Sequence, residues 1–142
     1  MNVTTIRQGL AARIATVVSV ASDGLAPAQV MPAPGKPVAV VVPDPGTFII
    51  RDTQGPGGYM LNFNIKLLVA TQLTAAAQKV LDTYLDTTSD KSVVAAVEDP
   101  SLDLGGGGEF ATVAAVRGYG STEYGGVIYP VSAELVIGVA AI

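Results

Sequence analysis

Two stretches in which apolar and polar residues alternate constrain the fold of this chain more than any other feature. In the first stretch the apolar positions are Leu61, Phe63, Ile65, Leu67 and Val69. In the second, across residues 127–140, they are Val127, Tyr129, Val131, Ala133, Leu135, Ile137 and Val139. Successive side chains of a β-strand point to opposite faces, so a period of two predicts one buried and one solvent-facing side. We therefore expect two long strands in a sheet with one wet face.

Three further segments predict strands. Residues 38–42 are all aliphatic, which is typical of a strand buried on both faces. Residues 43–46 read PDPG, a turn sequence, so residues 47–51 are expected to return as the second strand of a hairpin. Another long strand is expected at residues 109–117. The glycine-rich segments 52–58 and 118–126 predict loops, the second of them mobile.

Helical spacing of apolar residues predicts three helices. The first spans residues 5–18, with Asn2 or Thr4 as its N-cap, and its apolar positions fit an amphipathic helix better than a signal peptide. The second spans residues 74–85. The third spans residues 90–98, with Ser89 as the expected N-cap. Because strands and helices are segregated along the chain, we expect an α+β fold: a mostly antiparallel sheet of about five strands with two or three helices packed on one face. At 142 residues, one domain is expected for residues 1–142.

The composition excludes several classes of function. Cysteine and histidine are absent, so the chain lacks disulfides, thiolate chemistry, Cys or His metal ligands and the usual general base. The net charge is −4 and the 8 Lys and Arg residues are scattered, which argues against a surface that holds nucleic acid. No aliphatic run approaches the ~20 residues of a membrane span. We therefore expect no catalytic residues, no cofactor, no metal and no contact with a membrane.

The glycine tract Gly105–Gly108 invites two readings as a binding loop, and both fail. A phosphate loop needs a following helix and a nearby cation, but a predicted strand follows and the next residue is Glu109. A calcium loop starting at Asp99 would put Leu104 where glycine is required and Phe110 where the bidentate glutamate belongs. We interpret the glycines instead as a hinge whose loop orders on assembly.

Other polar groups also favour a structural interpretation. Asp82 and Asp86 lie one turn apart on the second predicted helix, but this pattern is more typical of a solvated face than of a catalytic pair. Tyr119, Tyr124 and Tyr129 surround the last loop, where they fit an interface or a packing role better than a ligand site.

The order of elements and several segments resemble the tail terminator proteins of long-tailed bacteriophages. The segments that carry the resemblance are IRQGLAARIATV, VVVPDPGTFII, LNFNIKLLVATQLTAAAQKVLDTYLD, KSVVAAVEDPSLDLGG and YGGVIYPVSAELVIG. Together they span nearly the whole chain. The chain departs from the pattern by the longer tract Gly105–Gly108 and by an extra proline-rich segment before Val38.

The resemblance implies a virion protein that assembles in the host cytoplasm. Such a protein forms a ring, expected to be hexameric, on the head-proximal end of the tail tube. The ring ends tube polymerisation and presents the surface for the head-tail connector or stopper protein. DNA passes through its channel without specific binding, which suits an acidic subunit. The rival interpretations are another neck component, a tail-tube subunit, or a small-ligand-binding or enzymatic α+β domain.

In a ring of this kind, loops and exposed strand edges become the assembly surface. We expect this surface in the loops around the glycine-rich segments. The candidate interface residues are Arg51, Asp52, Gly57, Tyr59, Gly105, Gly108, Glu109, Tyr119, Glu123 and Tyr124.

Overall fold

The structure is a computed structural model, and it describes residues 1–24, 32, 36–51 and 58–142. The helices in this part of the chain are α1 (Val3–Ile14), α2 (Ala75–Leu85) and α3 (Val93–Glu98). The strands are β1 (Val20–Ser22), β2 (Val38–Pro43), β3 (Ile49–Arg51), β4 (Tyr59–Ala70), β5 (Gly108–Arg117), β6 (Thr122–Tyr124), β7 (Val127–Tyr129) and β8 (Val131–Ala141).

Six of these strands form one sheet. Its order is β1-β2-β4-β8-β5, with β3 paired to β4, and every pair is antiparallel except β1 with β2. Strands β6 and β7 form a separate two-stranded sheet. The α+β fold with a mostly antiparallel sheet is therefore confirmed, and the main sheet has one strand more than the expected five.

The helices pack on one face of the main sheet, which we call the front face. Ile6, Leu10 and Ile14 of α1 are fully buried there, as are Leu61, Phe63, Ile65, Leu67 and the alternate apolar residues of β8. Phe48 packs edge-to-face on Phe63, with ring centroids 5.1 Å apart. The period of two in β4 and β8 thus indicates the front face correctly.

The helix boundaries follow side-chain caps. The Asn2 side chain accepts a hydrogen bond from the Thr5 backbone N–H at 3.0 Å, so α1 begins at Val3, two residues earlier than predicted. The Thr74 side chain accepts a hydrogen bond from the Ala77 backbone N–H, so α2 begins within one residue of its predicted start. The prediction of Ser89 as the cap of α3 is wrong: its hydroxyl accepts from the Lys91 N–H in a local turn, and Ser92 caps the helix instead.

The predicted hairpin across residues 38–51 is also wrong. Pro43 pairs with Phe63 and Ile49 pairs with Leu61, so β2 and β3 lie one after the other along the same edge of β4. The chain does not reverse between them; it leaves the edge of β4 and returns to it in the same direction.

Asn62 explains this detour at residues 44–48. Its backbone N–H donates to the Phe48 carbonyl at 2.7 Å, and its carbonyl accepts from the Asp44 N–H at 3.0 Å. Its side-chain Nδ2 donates to the Thr47 carbonyl at 2.9 Å. One residue of β4 therefore holds both ends of the detour and the segment between them, an arrangement that a turn signature alone does not reveal.

Candidate assembly interface

The face of the main sheet opposite the helices, which we call the back face, is covered over only one half. The β6–β7 hairpin folds over that half, where Tyr129 packs with Val38, Val40 and Leu68 in a second buried cluster. Lys66 Nζ also donates to the Glu123 carbonyl of the hairpin at 2.6 Å. The expectation of a wholly wet face is therefore wrong for the covered half.

Asn64 lies on this face and is only 3% exposed. Its side-chain oxygen accepts no hydrogen bond among the described residues. The alternation that marked Asn64 as solvent-facing could not register the hairpin, because the hairpin comes from about sixty residues later in the chain.

Two glycines shape the tip of the hairpin. Gly125 and Gly126 have φ angles of 62° and 79° and connect the paired residues Tyr124 and Val127. Positive φ at both central positions is the geometry of the two-residue hairpin turns that favour glycine. The prediction of a mobile loop at residues 118–126 is therefore corrected, because part of this segment is a paired strand.

Ser132 fixes the base of the hairpin. This buried hydroxyl donates to the Tyr129 carbonyl at 2.7 Å and accepts from the Thr122 N–H at 3.0 Å. Its carbonyl also accepts from the Gly120 N–H at 2.8 Å. Three hydrogen bonds at Ser132 thus hold the hairpin to β8. They fix which side of the hairpin faces outward.

The outer side of the hairpin is apolar and exposed. Ile128 lies on this side and is 66% exposed, whereas Val127 is 46% exposed but pairs with Tyr124, on the inner side of the hairpin. Glu123 is the cross-strand partner of Ile128, so a carboxylate and a branched apolar side chain share this outer surface. We call Glu123 and Ile128 the hairpin surface.

The uncovered half of the back face carries a second apolar surface. The register joins Ile50 to Met60, Met60 to Ala140 and Ala140 to Phe110, which makes one row across four strands. The exposed fractions of Ile50, Met60 and Phe110 are 47%, 40% and 67%. We call Ile50, Met60, Ala140 and Phe110 the apolar row. Solvent-facing sheet positions are normally polar, so a continuous apolar row is a candidate contact surface.

Several predicted interface residues lie beside this row. Arg51 pairs with Tyr59, Tyr59 pairs with Ala141, and Ala141 pairs with Gly108, which places them in the next row along the strands, on the front face where Ala141 is buried. Glu109 forms a bulge between Gly108 and Phe110. The structure therefore gathers Arg51, Tyr59, Gly108 and Glu109 at one end of the sheet. Asp52 and Gly57 lie outside the described residues.

The glycine tract is tied to both ends of the chain. The Asn2 N–H donates to the Gly106 carbonyl at 2.6 Å, and the Ile142 N–H donates to the Gly107 carbonyl at 3.0 Å. Gly105, Gly106 and Gly107 all have positive φ, and a Cβ on Gly107 would lie 2.5 Å from the Ile142 carbonyl oxygen. Glycine is therefore needed in this tract because the backbone has positive φ and passes close to residues 2 and 142 of the same chain. Further ordering of this loop on assembly stays a prediction.

The exposed edge of β5 is less open than the sequence suggests. Bulges interrupt its register with β8 at Glu109 and again at Ala114. The Glu98 carboxylate accepts a hydrogen bond from the Val113 N–H at 3.0 Å. Bulges and charged side chains are the usual means by which an edge strand avoids pairing with another chain. The back face, rather than this edge, is therefore the more open surface for assembly.

Tyr119 has an intramolecular partner. Its hydroxyl donates to Asp82 Oδ1 at 2.7 Å, and this hydrogen bond raises the pKa of the Tyr119 phenol, with smaller contributions from burial and from the charge of Asp82. Asp86 instead accepts from the Thr88 N–H and hydroxyl, which lowers the pKa of Asp86. The two aspartates therefore have separate partners, which fits their interpretation as a solvated pair better than a catalytic one.

Sequence reasoning missed Arg13, the most deeply buried cation in the described part of the chain. Arg13 is 3% exposed; its Nη1 donates to the Val97 carbonyl at 2.7 Å and its Nε to the Leu102 carbonyl at 2.8 Å. Burial lowers the pKa of the Arg13 guanidinium, while the carboxylates of Asp99 and Asp103 raise it. Arg13 shares the apolar side of α1 with Leu10 and Ile14, and this position in the sequence could have indicated that its side chain is buried.

The segment that begins at Asp99, which does not match a calcium loop, is held by hydrogen bonds to two aspartate side chains. Asp99 and Asp103 each accept a backbone N–H two residues later, from Ser101 at 2.9 Å and from Gly105 at 3.0 Å. The hydrogen bonds from Ser101 lower the pKa of Asp99. Within the described ranges, no three acidic, histidine or cysteine side chains are grouped so that they could hold a metal ion.

Comparison with family models and with curated protein sequences gives no match for this chain. No helix in the part of the chain that the structure describes is long and apolar enough to cross a bilayer. The two exposed apolar surfaces and the residues around them are therefore the features of the molecule that bear on its function.

Proposed function

We propose that this chain is a structural subunit of a bacteriophage tail, which caps the head-proximal end of the tail tube as a ring. The ring ends polymerisation of the tube protein and offers its other side to the head-tail connector or stopper protein. The tail terminator resemblance over nearly the whole chain suggests this role.

One structural observation carries the proposal: the subunit has two different exposed apolar surfaces, the hairpin surface and the apolar row. A closed ring uses two unlike patches on every subunit, each complementary to the other. A monomer in water gains nothing from leaving Ile128 and Phe110 66% and 67% exposed, whereas both could be buried in an assembly.

The charge of the chain supports the same role. A net charge of −4 gives a ring of subunits a strongly acidic total charge. DNA phosphates bind proteins mainly by releasing counterions to clustered Lys and Arg. An acidic channel therefore lets DNA pass with little retention.

The test is a tube-length assay. The tube protein is identified by gene order, where we expect a tube gene directly downstream and capsid genes upstream. Purified tube protein is polymerised with and without this chain, and tube lengths are measured by negative-stain electron microscopy. We expect shorter tubes, each with a ring at one end. Unchanged tube lengths with no protein bound at the ends would contradict the proposal, as would tubes made of this chain alone, which would identify a tube subunit.

A further inference from the structure

We propose that the β6–β7 hairpin is a hinged flap, which lifts from the back face about its base at Ser132 while the main sheet stays folded. The inference concerns the free subunit, so it goes beyond the proposed function and does not depend on it. Lifting the flap uncovers the half of the back face that is closed in the structure, where Val38, Val40 and Leu68 lie.

The buried side chain of Asn64 is the observation that carries this inference. Asn64 is only 3% exposed, and its Oδ1 accepts no hydrogen bond among the described residues. It lies two residues from Lys66 on the same face of β4, and Lys66 Nζ reaches the hairpin. A buried acceptor without a donor costs its full desolvation, and contact with bulk water removes that cost. The closed flap therefore carries a penalty that the open flap does not.

The bonds that hold the hairpin are concentrated at its base. Ser132 makes three hydrogen bonds there, to Thr122, Tyr129 and Gly120. Further out, the hairpin packs on a cluster of four buried residues, whereas the front-face cluster has twenty-four among the described residues. A two-stranded hairpin is marginally stable by itself, and elements with few buried apolar residues open at a lower free energy than the core. The outer part of the hairpin is therefore expected to open before the sheet does.

The connections between the hairpin and the main sheet allow such a movement. Gly118 and Gly120 lie between β5 and β6 with φ angles of 64° and 87°, and Pro130 separates β7 from β8. Hinges are usually a few residues at the ends of elements, and glycine changes its backbone angles at little cost. The pairing of β6 with β7 can therefore persist while the hairpin lifts.

The absence of cysteine from the chain allows the two faces of one strand to be compared. Val40 and Val41 are neighbours in β2 and both are 0% exposed, but Val40 packs in the cluster under the flap and Val41 in the front-face core. Val40→Cys and Val41→Cys proteins are treated with iodoacetamide under native conditions, and the labelled fraction is followed by intact-mass spectrometry. We expect Val40→Cys to react at least ~10 times faster. Flap opening exposes only the back-face thiol, whereas fraying of β2 or global unfolding exposes both.

The contribution of Asn64 is tested in the Val40→Cys protein. Asn64→Leu removes the buried acceptor at similar volume, so labelling should slow about 10- to 100-fold, the range expected for relief of an unsatisfied polar group. Lys66→Met removes the bond to the Glu123 carbonyl and should speed labelling about two- to tenfold. Lys66→Arg retains a donor and should restore most of the slow rate. Circular dichroism of each variant checks that the fold is retained.

Two results would overturn the inference. Equal labelling rates in Val40→Cys and Val41→Cys would show that the back face is exposed only when the sheet itself opens, and this comparison needs no change at Asn64. Faster labelling in Asn64→Leu would show that Asn64 stabilises the closed hairpin, as it would if it held an internal water molecule. The tube-length assay is separate: shortened tubes with equal labelling rates would refute the flap alone, and a flap without tube capping would refute the proposed function alone.

Discussion

Substitution of Gly9 by alanine sets two effects of known size against each other. Gly9 lies within α1, where alanine is favoured over glycine by about 1 kcal/mol. A Cβ at this position would lie 2.8 Å and 2.9 Å from the carbonyl carbon and the Cα of Leu104, and still closer to the Leu104 carbonyl oxygen. The helix propensity predicts stabilisation, and the contact predicts the opposite.

The geometry decides the sign. Added atoms in a packed core cost about 1–3 kcal/mol, and flexible side chains usually absorb part of that cost. Here the opposing atoms are backbone and Leu104 is only 2% exposed, so no rotamer change relieves the overlap. Taking the upper value of ~3 kcal/mol and subtracting ~1 kcal/mol for propensity leaves a net loss of about 2 kcal/mol. In a domain of this size, that loss lowers Tm by roughly 4–8 °C.

Urea denaturation followed by circular dichroism measures this difference, with Ala12→Gly as the calibration. Ala12 is exposed on the same helix, so its replacement by glycine reports the propensity effect alone, a loss of about 1 kcal/mol. If Gly9→Ala is more stable than the natural chain while Ala12→Gly loses ~1 kcal/mol, the close approach of α1 to Leu104 is wrong.

Two further predictions concern side chains with internal partners. Arg13→Met leaves the Val97 and Leu102 carbonyls without their donors, which should lower the free energy of unfolding in urea by about 2–4 kcal/mol. Arg7→Met is the control, because Arg7 is less deeply buried than Arg13 and its Nε donates to the Asp23 carbonyl. An equal loss in both variants would contradict the role of Arg13. Asp82→Asn should lower the pKa of Tyr119 toward its ordinary value, as measured by ultraviolet titration of tyrosinate against Tyr119→Phe. The pKa of this phenol is raised in the folded state. Its contribution to the free energy of unfolding is therefore complete below the unfolded-state pKa and is lost as pH rises through the folded-state pKa. An identical tyrosinate titration in Asp82→Asn would count against the hydrogen bond.

Local sequence patterns predicted the structure correctly where it depends on residues that are close together in the chain. The alternation from Leu61 to Val69 indicated the front face, since side-chain direction in a strand is set residue by residue. The start of α2 was likewise visible, because Thr74 caps the N–H of Ala77, only three residues away.

The same patterns failed where the partner is distant in the chain. The PDPG sequence predicts a turn after which the chain pairs with β2. In the structure the chain leaves the edge of β4 there, and the hydrogen bonds of Asn62 bring it back to the same edge. Arg13 was missed because its acceptors, the Val97 and Leu102 carbonyls, lie more than eighty residues away. Neither the partners nor their distances can be inferred from a local window.

Pro130 shows how the candidate interface escaped the sequence pattern. Tyr129 and Val131 are two residues apart and would share a face in an unbroken strand. In the structure Val131 packs on the front face, whereas Tyr129 packs with the back-face cluster. Proline cannot donate a ladder hydrogen bond, so the strand ends there and β7 turns over the back of the sheet. That turn covers half of the back face, leaves the apolar row exposed, and directs Ile128 outward. Both proposed contact surfaces therefore depend on a break that regular alternation conceals.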